Sequence, residues 1–425
     1  MRLGVSLGAI HDSSERYPPP NCHPDTRKAV REIILDRIHS ESSASSFFWL
    51  YGSAGAGKTA ILQAIAEFLS NPPESYDNFG GSFFFSRGKK GRDEGHYLFP
   101  TIAYQLALKV PGLRQHVNHI MELDPTLHTK SMDVQLRTLI IDTFRQLSPL
   151  PQRPYLIIID GLDECQDKAT QQLILQLLCE SITVHKLPLR FLIGSCPESH
   201  IRNSFDHESL YTVTRLVILD EKFNPGRDIE VFLRDGFAEI CAKNSTGILS
   251  HVEHPWPEDG VIDLLVQRSS GQFIYSATVL KFVGADFCSP TKQLALVLKP
   301  DPTAFSDLDQ LYTQILSIYP KAVNIVQVLG IISVSHGKLA EVMEDIFGME
   351  EGELKLVLRG LSSLLEDEDD ENSGATSYVI PGFAHASFGD YLFDSSRSGP
   401  FHVNRQEYEN QFTIRSFALI IQSIR

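Results

Sequence analysis

The sequence is short of the features that would place it outside the ordinary globular class. Its 425 residues hold six cysteines, at positions 22, 165, 179, 196, 241 and 288, with no C-x-x-C pair among them. That is too sparse for a disulfide framework and predicts reduced thiols in an intracellular protein. No apolar run approaches the roughly 20 residues that a membrane-spanning helix needs. The start, MRLGVSLGAIHDSSERYPPP, lacks a signal peptide, because its apolar part is short and His11 and Asp12 interrupt it. The cytosol is therefore the expected location. Positive charge is in deficit, with 38 Lys and Arg against 53 Asp and Glu, for a net charge of −15. Such a balance argues against a general nucleic-acid binder. Residues 366–371, EDEDDE, concentrate part of it and read as a solvated loop. No internal repeat is visible.

What is present is a soluble-type hydrophobic content of 42%, in a chain long enough for two to four domains. Its centre is residues 47–69, FFWLYGSAGAGKTAILQAIAEFL. A short apolar run suited to a buried strand leads into Gly52, Ser53, Ala54, Gly55, Ala56, Gly57, Lys58 and Thr59, and an apolar segment of helical period follows. This is G-x-x-x-x-G-K-[ST] between a strand and a helix, the setting in which it binds phosphate. Gly52, Gly55 and Gly57 allow backbone conformations that a side chain would forbid, so that the amides can form a concave anion site. The helix adds its positive end. Lys58 is placed for the outer phosphates and Thr59 for Mg²⁺.

Taken in order, residues 1–22 read as a flexible leader ending in three prolines. A helix follows, capped by Asp25 or Thr26, with Val30, Ile33, Ile34 and Ile38 as its apolar stripe. Strands are expected at 82–85, 155–160, 190–193 and 216–219, and helices at 101–109, 132–147 and 169–184. Residues 88–95, glycine-rich and charged, read as a mobile surface loop. The alternation predicts a doubly wound, mainly parallel α/β domain over 23–220. From 228 to 365 the period is helical. Residues 221–304 read as a helical domain and 305–395 as a winged-helix-like domain, with a strand at 378–380 and a helix at 385–393. Residues 396–425 begin a further helical segment, and the chain reads as part of a larger architecture. His251 and His254 are too few for a metal site.

The second motif is Asp160-Gly-Leu-Asp-Glu164. Asp160 ends the most apolar strand, YLIIID, at the edge where open α/β sheets bind ligands. It is placed to share the Mg²⁺ shell with Thr59. Glu164, or Asp163, is placed to orient or deprotonate an attacking water. No N-K-x-D guanine signature appears, so adenine is the expected base, and the expected ligands are ATP or ADP with Mg²⁺.

HPDTR at 23–27, GSAGAGKT at 52–59, FFFSR at 83–87, DGLDEC at 160–165, SGQFIYSATVLKF at 270–282 and HASFGDYL at 385–392 together resemble the NACHT class of STAND signalling NTPases. The nearest form is the fungal one related to the nephrocystin-3-like module. The resemblance spans residues 20 to 395. It implies an α/β NTPase followed by a helical domain and a winged helix, locked by ADP and opened by ATP. It also implies homo- or hetero-oligomers on activation, protein partners through effector or repeat regions, and a role in non-self recognition or programmed cell death. By the same resemblance Thr26 and Arg27 join the nucleotide site, and His385 touches the β-phosphate. One departure stands out. Where the family ends the strand after DGLDE in a run whose Arg senses the γ-phosphate, this chain has Gly194-Ser195-Cys196-Pro197. A thiol supplies no cationic fork, so slow hydrolysis is expected; Arg87, Arg190 and Arg202 are candidate substitutes. The alternatives are a non-catalytic scaffold and a conventional ATPase.

Overall fold

The computed structural model describes residues 4–39, 45–71, 78–244, 255–285, 289–299, 306–318, 325–335, 337–366 and 379–424. His251, His254, Cys288 and all of the acidic run but Glu366 lie outside that set. The chain divides into two compact units, Met1–Pro225 and Gly226–Arg425.

The first unit is a five-stranded sheet with helices on both faces. Its strands are β1 (Phe47–Tyr51), β2 (Phe79–Phe84), β3 (Tyr155–Asp160), β4 (Leu189–Ser195) and β5 (Thr214–Ile218). They run in the order β2-β3-β4-β1-β5, and every pairing is parallel. β1 and β3 are almost wholly apolar, as strands buried on both faces must be, and β4 is apolar at its centre, Phe191–Ile193. The register aligns their C-terminal ends. Tyr51 is opposite Ser195, and Phe84 is opposite Asp160. Trp49 Nε1 donates to Ser195 Oγ at 2.8 Å and ties β1 to β4 at that edge.

Nine helices among the described residues belong to this unit: α1 (Lys28–His39), α2 (Lys58–Ser70), α3 (Leu98–Lys109), α4 (Leu113–Leu123), α5 (Met132–Leu136), α6 (Asp142–Arg145), α7 (Lys168–Thr183), α8 (Ser199–Asp206) and α9 (Glu208–Tyr211). One core layer packs α1 and α2 through Val30, Ile34, Ile61, Leu62 and Ile65. The opposite layer holds Phe99, Ile102, Val117 and Phe144. Val30, Ile34 and Ile38 are buried as expected, while Ile33 is half-buried. α7 begins at its cap Asp167, whose carboxylate accepts from the amides of Ala169 and Thr170. The single helix expected at 132–147 runs unbroken over 132–145, with a π-helical stretch at Arg137–Ile141 between α5 and α6. α4, for which Pro111-Gly112 gives no helix signal, buries an apolar row of Leu113, Val117 and Met121.

Two expectations are corrected. Residues 4–17 are no loose leader. Short 3₁₀ turns over Leu7–Ala9 and Ser14–Arg16 pack them onto the domain, and Ala9 is fully buried. His11 is wedged between Ser82 Oγ and Ser70 Oγ, and Ser6 N–H donates to Thr101 Oγ1 at 3.0 Å. Nor is the 88–95 stretch a mobile loop. Arg92 and Asp93 are buried, Ser86 N–H donates to Arg92 O, and the Asp93 carboxylate accepts from Gly88 N–H. Internal hydrogen bonds fold the charged residues under the turn.

The second unit is helical. It comprises α10 (Pro225–Lys243), α11 (Asp259–Ser269), α12 (Phe273–Val283), α13 (Pro290–Val297), α14 (Asp307–Leu316), α15 (Ile325–Ser335), α16 (Ala340–Phe347), α17 (Glu353–Gly360), α18 (Ala386–Phe393), α19 (Ser395–Ser398) and α20 (Arg405–Ile424). One continuous core runs through it, from Ile229 and Leu233 to Tyr391 and Leu392. The strand expected at 378–380 reduces, among the described residues, to isolated antiparallel bridges, Leu339 with Val379 and Leu365 with Phe383. Asp309 on α14 takes a bidentate pair from Arg397 on α19, with Nη2–Oδ1 at 2.7 Å and Nε–Oδ2 at 3.1 Å. Tyr312 and Thr313 bond to Ser387 and Tyr391 beside it.

Candidate functional site

The loop between β1 and α2 is the frame of the site. Gly55 and Gly57 stand at φ 76° and 89°, in the left-handed region that other residues avoid. Gly52 does not share that conformation. A Cβ there would sit 3.0 Å from Leu219 Cβ, so its requirement is space. Arg27, buried on the turn before α1, donates from Nη2 to Ala56 O at 2.9 Å and braces the loop from outside. Thr26 is buried too, and its hydroxyl donates to His23 O. These contacts make HPDTR a support for the phosphate loop.

Lys58 is the first residue of α2 and is 9% exposed. Its ammonium donates to the carbonyls of Gly52 and Ser53, each at 2.9 Å, and to Cys196 Sγ at 3.3 Å. Cys196 follows the end of β4. Its amide donates to Asp163 Oδ1 at 2.9 Å, and burial, reinforced by the Asp163 charge, pushes its thiol up to about 12. It is therefore a neutral group at the mouth of the loop.

Asp160 ends β3 and is 2% exposed. Burial pushes its carboxyl up to about 6, against the hydrogen bond from Thr59 and the charges of Arg16 and Lys58. The residue across from it is Gly194 for a reason the sequence hides. A Cβ there would fall 2.4 Å from Leu62 Cδ1 and 2.7 Å from Asp160 Oδ1. Gly161, at φ 67°, turns the chain into the Leu162–Glu164 3₁₀ turn. There Glu164 Oε2 accepts from Arg87 N–H at 3.1 Å. Burial, then the neighbouring Asp163 and Asp160 charges, push the Glu164 carboxyl up to about 7. Such a value suits a group that takes a proton near neutral pH.

Of the candidate arginines, Arg87 is exposed at this edge, with its guanidinium on Asp163 O. Arg190 lies at the opposite end of β4 and binds Ile38 O. Arg202 is exposed on α8. Arg16, which no motif marks, is buried beside the site. Its Nη2 donates to Gln63 Oε1 at 2.8 Å, and its guanidinium lies 3.8 Å over the Phe84 ring. Burial, then Arg92, pull its pKa down to about 10, opposed by the charges of Asp160 and Glu164. His385 belongs to the second unit. It is the N-cap of α18, where Nδ1 accepts from Ser387 N–H at 3.1 Å.

Thr59 and Asp160 offer adjacent hard oxygens, the donor set that suits Mg²⁺. Among the described residues no three His, Cys, Asp or Glu form a metal cage. One carboxylate and one hydroxyl match an ion that completes its shell with water and phosphate.

Residues 31–196 match the family model described as Nephrocystin 3, N-terminal. The stretch contains β1, the phosphate loop, β2, β3 with DGLDE, and β4 as far as Cys196. The first unit is of the P-loop NTPase type. Residues 1–30 and the second unit lie outside the matched stretch. No curated protein matches the chain. Among solved structures, that of the Aeropyrum Pernix ORC2 protein (ADPNP-ADP complexes) is similar over 99% of this chain and 98% of that one, at 12% identity and a TM-score of 0.36. A likeness at that score carries no argument about activity.

Proposed function

We propose that the chain is an ATP/ADP-dependent signalling switch of the NACHT/STAND type, with slow ATP hydrolysis, acting in the cytoplasm. One observation carries the nucleotide reading. Lys58 and Thr59 open a helix behind a left-handed Gly55/Gly57 loop, and Thr59 is hydrogen-bonded to a buried carboxylate at the end of the neighbouring β3–β4 edge. The loop amides and Lys58 bind the phosphates, and Thr59 with Asp160 orients the metal. Bound Mg²⁺ would supply charge neutralisation between the outer phosphates. Glu164 is the residue placed to hold and accept the proton of an attacking water.

The slow-hydrolysis reading is supported by Cys196, a neutral thiol where a cation would stabilise charge developing on the γ-phosphate. The signalling role, oligomerisation on activation and the fungal setting in non-self recognition or cell death are supported by the motif resemblance. A conventional ATPase is the second reading, favoured by a Glu164 carboxyl held near 7. Measuring nucleotide content and turnover of the purified protein separates them. Retained ADP with turnover well below about 1 s⁻¹, the low end of typical enzymes, supports the switch. Rapid phosphate release supports the ATPase, and a protein that binds no nucleotide contradicts both.

A further inference from the structure

We infer that Arg16 is a positioning and specificity residue of the nucleotide site: from the N-terminal segment it supplies the positive charge at the outer-phosphate end that Cys196 does not. The inference rests on the nucleotide reading above and adds a preference to it, for triphosphate over diphosphate.

A guanidinium taken out of water needs an anion or a full set of acceptors. Arg16 is 8% exposed. Its anchors are neutral, the Gln63 amide oxygen and the face of Phe84. Among the described residues no carboxylate pairs with it, and its Nε has no acceptor. Both anchors belong to the site's own frame. Gln63 lies on α2, little more than one helical turn beyond Lys58. Phe84 is the register partner of Asp160, one strand spacing away. The charges of Arg16 and Lys58 both pull the Asp160 carboxyl down against its burial.

The backbone that presents Arg16 is fixed without its help. Ala9 sits in the core, Ser6 is bonded to Thr101, and the His11 ring is held by Ser82 and Ser70. Gln63 Nε2 also donates to His11 O at 2.9 Å, so one side chain holds both the segment and its arginine. A cation held in place beforehand stabilises an anion without first being ordered. Its effect grows with the charge at the outer end of the ligand, so ATP gains more than ADP.

The test is calorimetric titration of the full chain with MgADP and with the Mg²⁺ complex of a non-hydrolysable ATP analogue. Wild type, Arg16→Gln and Arg16→Lys are compared, each with its melting temperature in the absence of nucleotide. A unit charge several ångströms away at an intermediate dielectric is worth about tenfold in affinity. Arg16→Gln is expected to lose about that much for the ATP analogue and clearly less for ADP, and Arg16→Lys to restore most of the difference. Equal losses for both nucleotides, tracking equal drops in melting temperature in the Gln and Lys variants, would reduce Arg16 to packing and overturn the inference. If Arg16→Gln does not fold, Gln63→Ala takes its place. It frees the guanidinium while leaving its charge, and must narrow the ATP-over-ADP ratio by about threefold or the inference falls. A wild type that binds neither nucleotide defeats the underlying reading and Arg16 with it. A wild type that binds both, beside an Arg16→Gln variant that binds them identically, defeats Arg16 alone.

Discussion

The two units bury charge in different ways. Among the described residues of the second unit each buried carboxylate is answered on the spot. Asp309, 2% exposed, takes two hydrogen bonds from Arg397, and Glu344, 4% exposed, accepts from the amides of Gly352 and Leu354. In the first unit burial, then the Asp163 charge beside both, raises the carboxyls of Asp160 and Glu164 to about 6 and 7. Arg16 is buried against neutral anchors. Charge that is answered locally is architecture. Charge crowded against like charge, or held out of water on neutral anchors, is what a ligand can satisfy, at the cost of stability in the free protein.

The largest expected effect comes from breaking the answered pair. Arg397→Leu leaves Asp309 buried and alone, and should cost about 3–5 kcal/mol in denaturant unfolding of the second unit. Asp309→Leu/Arg397→Leu should recover most of that loss. A double variant no better than the single one would mean that the pair is not the charge-balancing device described.

Next is Glu164. Its folded pKa is raised, so the carboxylate form is present above about 7 and lost below it. Single-turnover hydrolysis should rise with pH through about 7. Glu164→Gln should flatten that rise and slow the step by about 10²-fold or more. The linkage runs the other way for stability. A carboxyl raised in the fold binds protons that the unfolded chain has released, so its contribution falls as pH climbs from about 4.5 towards 7. Glu164→Gln should therefore flatten this part of the stability–pH curve as well. A wild-type hydrolysis rate that does not change between pH 6 and 8 would remove Glu164 from the chemistry.

The smallest effect is at His385. As the cap of α18 it should cost about 1 kcal/mol when replaced by Ala. The drop in melting temperature should be the same with and without ADP. An accelerated ADP release in that variant would instead point to the nucleotide contact that the family resemblance implies.

The parts of the first unit that were legible are those whose cause is local. YLIIID announces a doubly buried strand, and GSAGAGKT carries its own strand and helix on either side. The illegible parts depend on residues far apart in sequence. Gly194 is required by Leu62 and Asp160, and nothing around it says so. Arg16 follows an acidic-polar stretch and precedes three prolines, a context that reads as linker. Its anchors, Gln63 and Phe84, are supplied only by folding. Gly52 shows that sequence does not separate conformation from close approach, since both select the same residue. In the second unit the helices were legible from their apolar period. The Asp309–Arg397 pair was not, because the two residues are 88 positions apart.

The central claim is that the phosphate loop and the raised carboxyls of the first unit form a nucleotide site. Calorimetric titration of Lys58→Ala and Asp160→Asn with MgADP and MgATP, beside their melting temperatures without nucleotide, tests it most directly. Each variant should bind both nucleotides about tenfold or more weakly than wild type, since a charge-assisted contact is worth roughly 1.5–3 kcal/mol. Asp160→Asn should melt no lower than wild type at pH 7, because it removes an ionised carboxyl that the fold disfavours. Affinities equal to wild type in both folded variants would contradict the account.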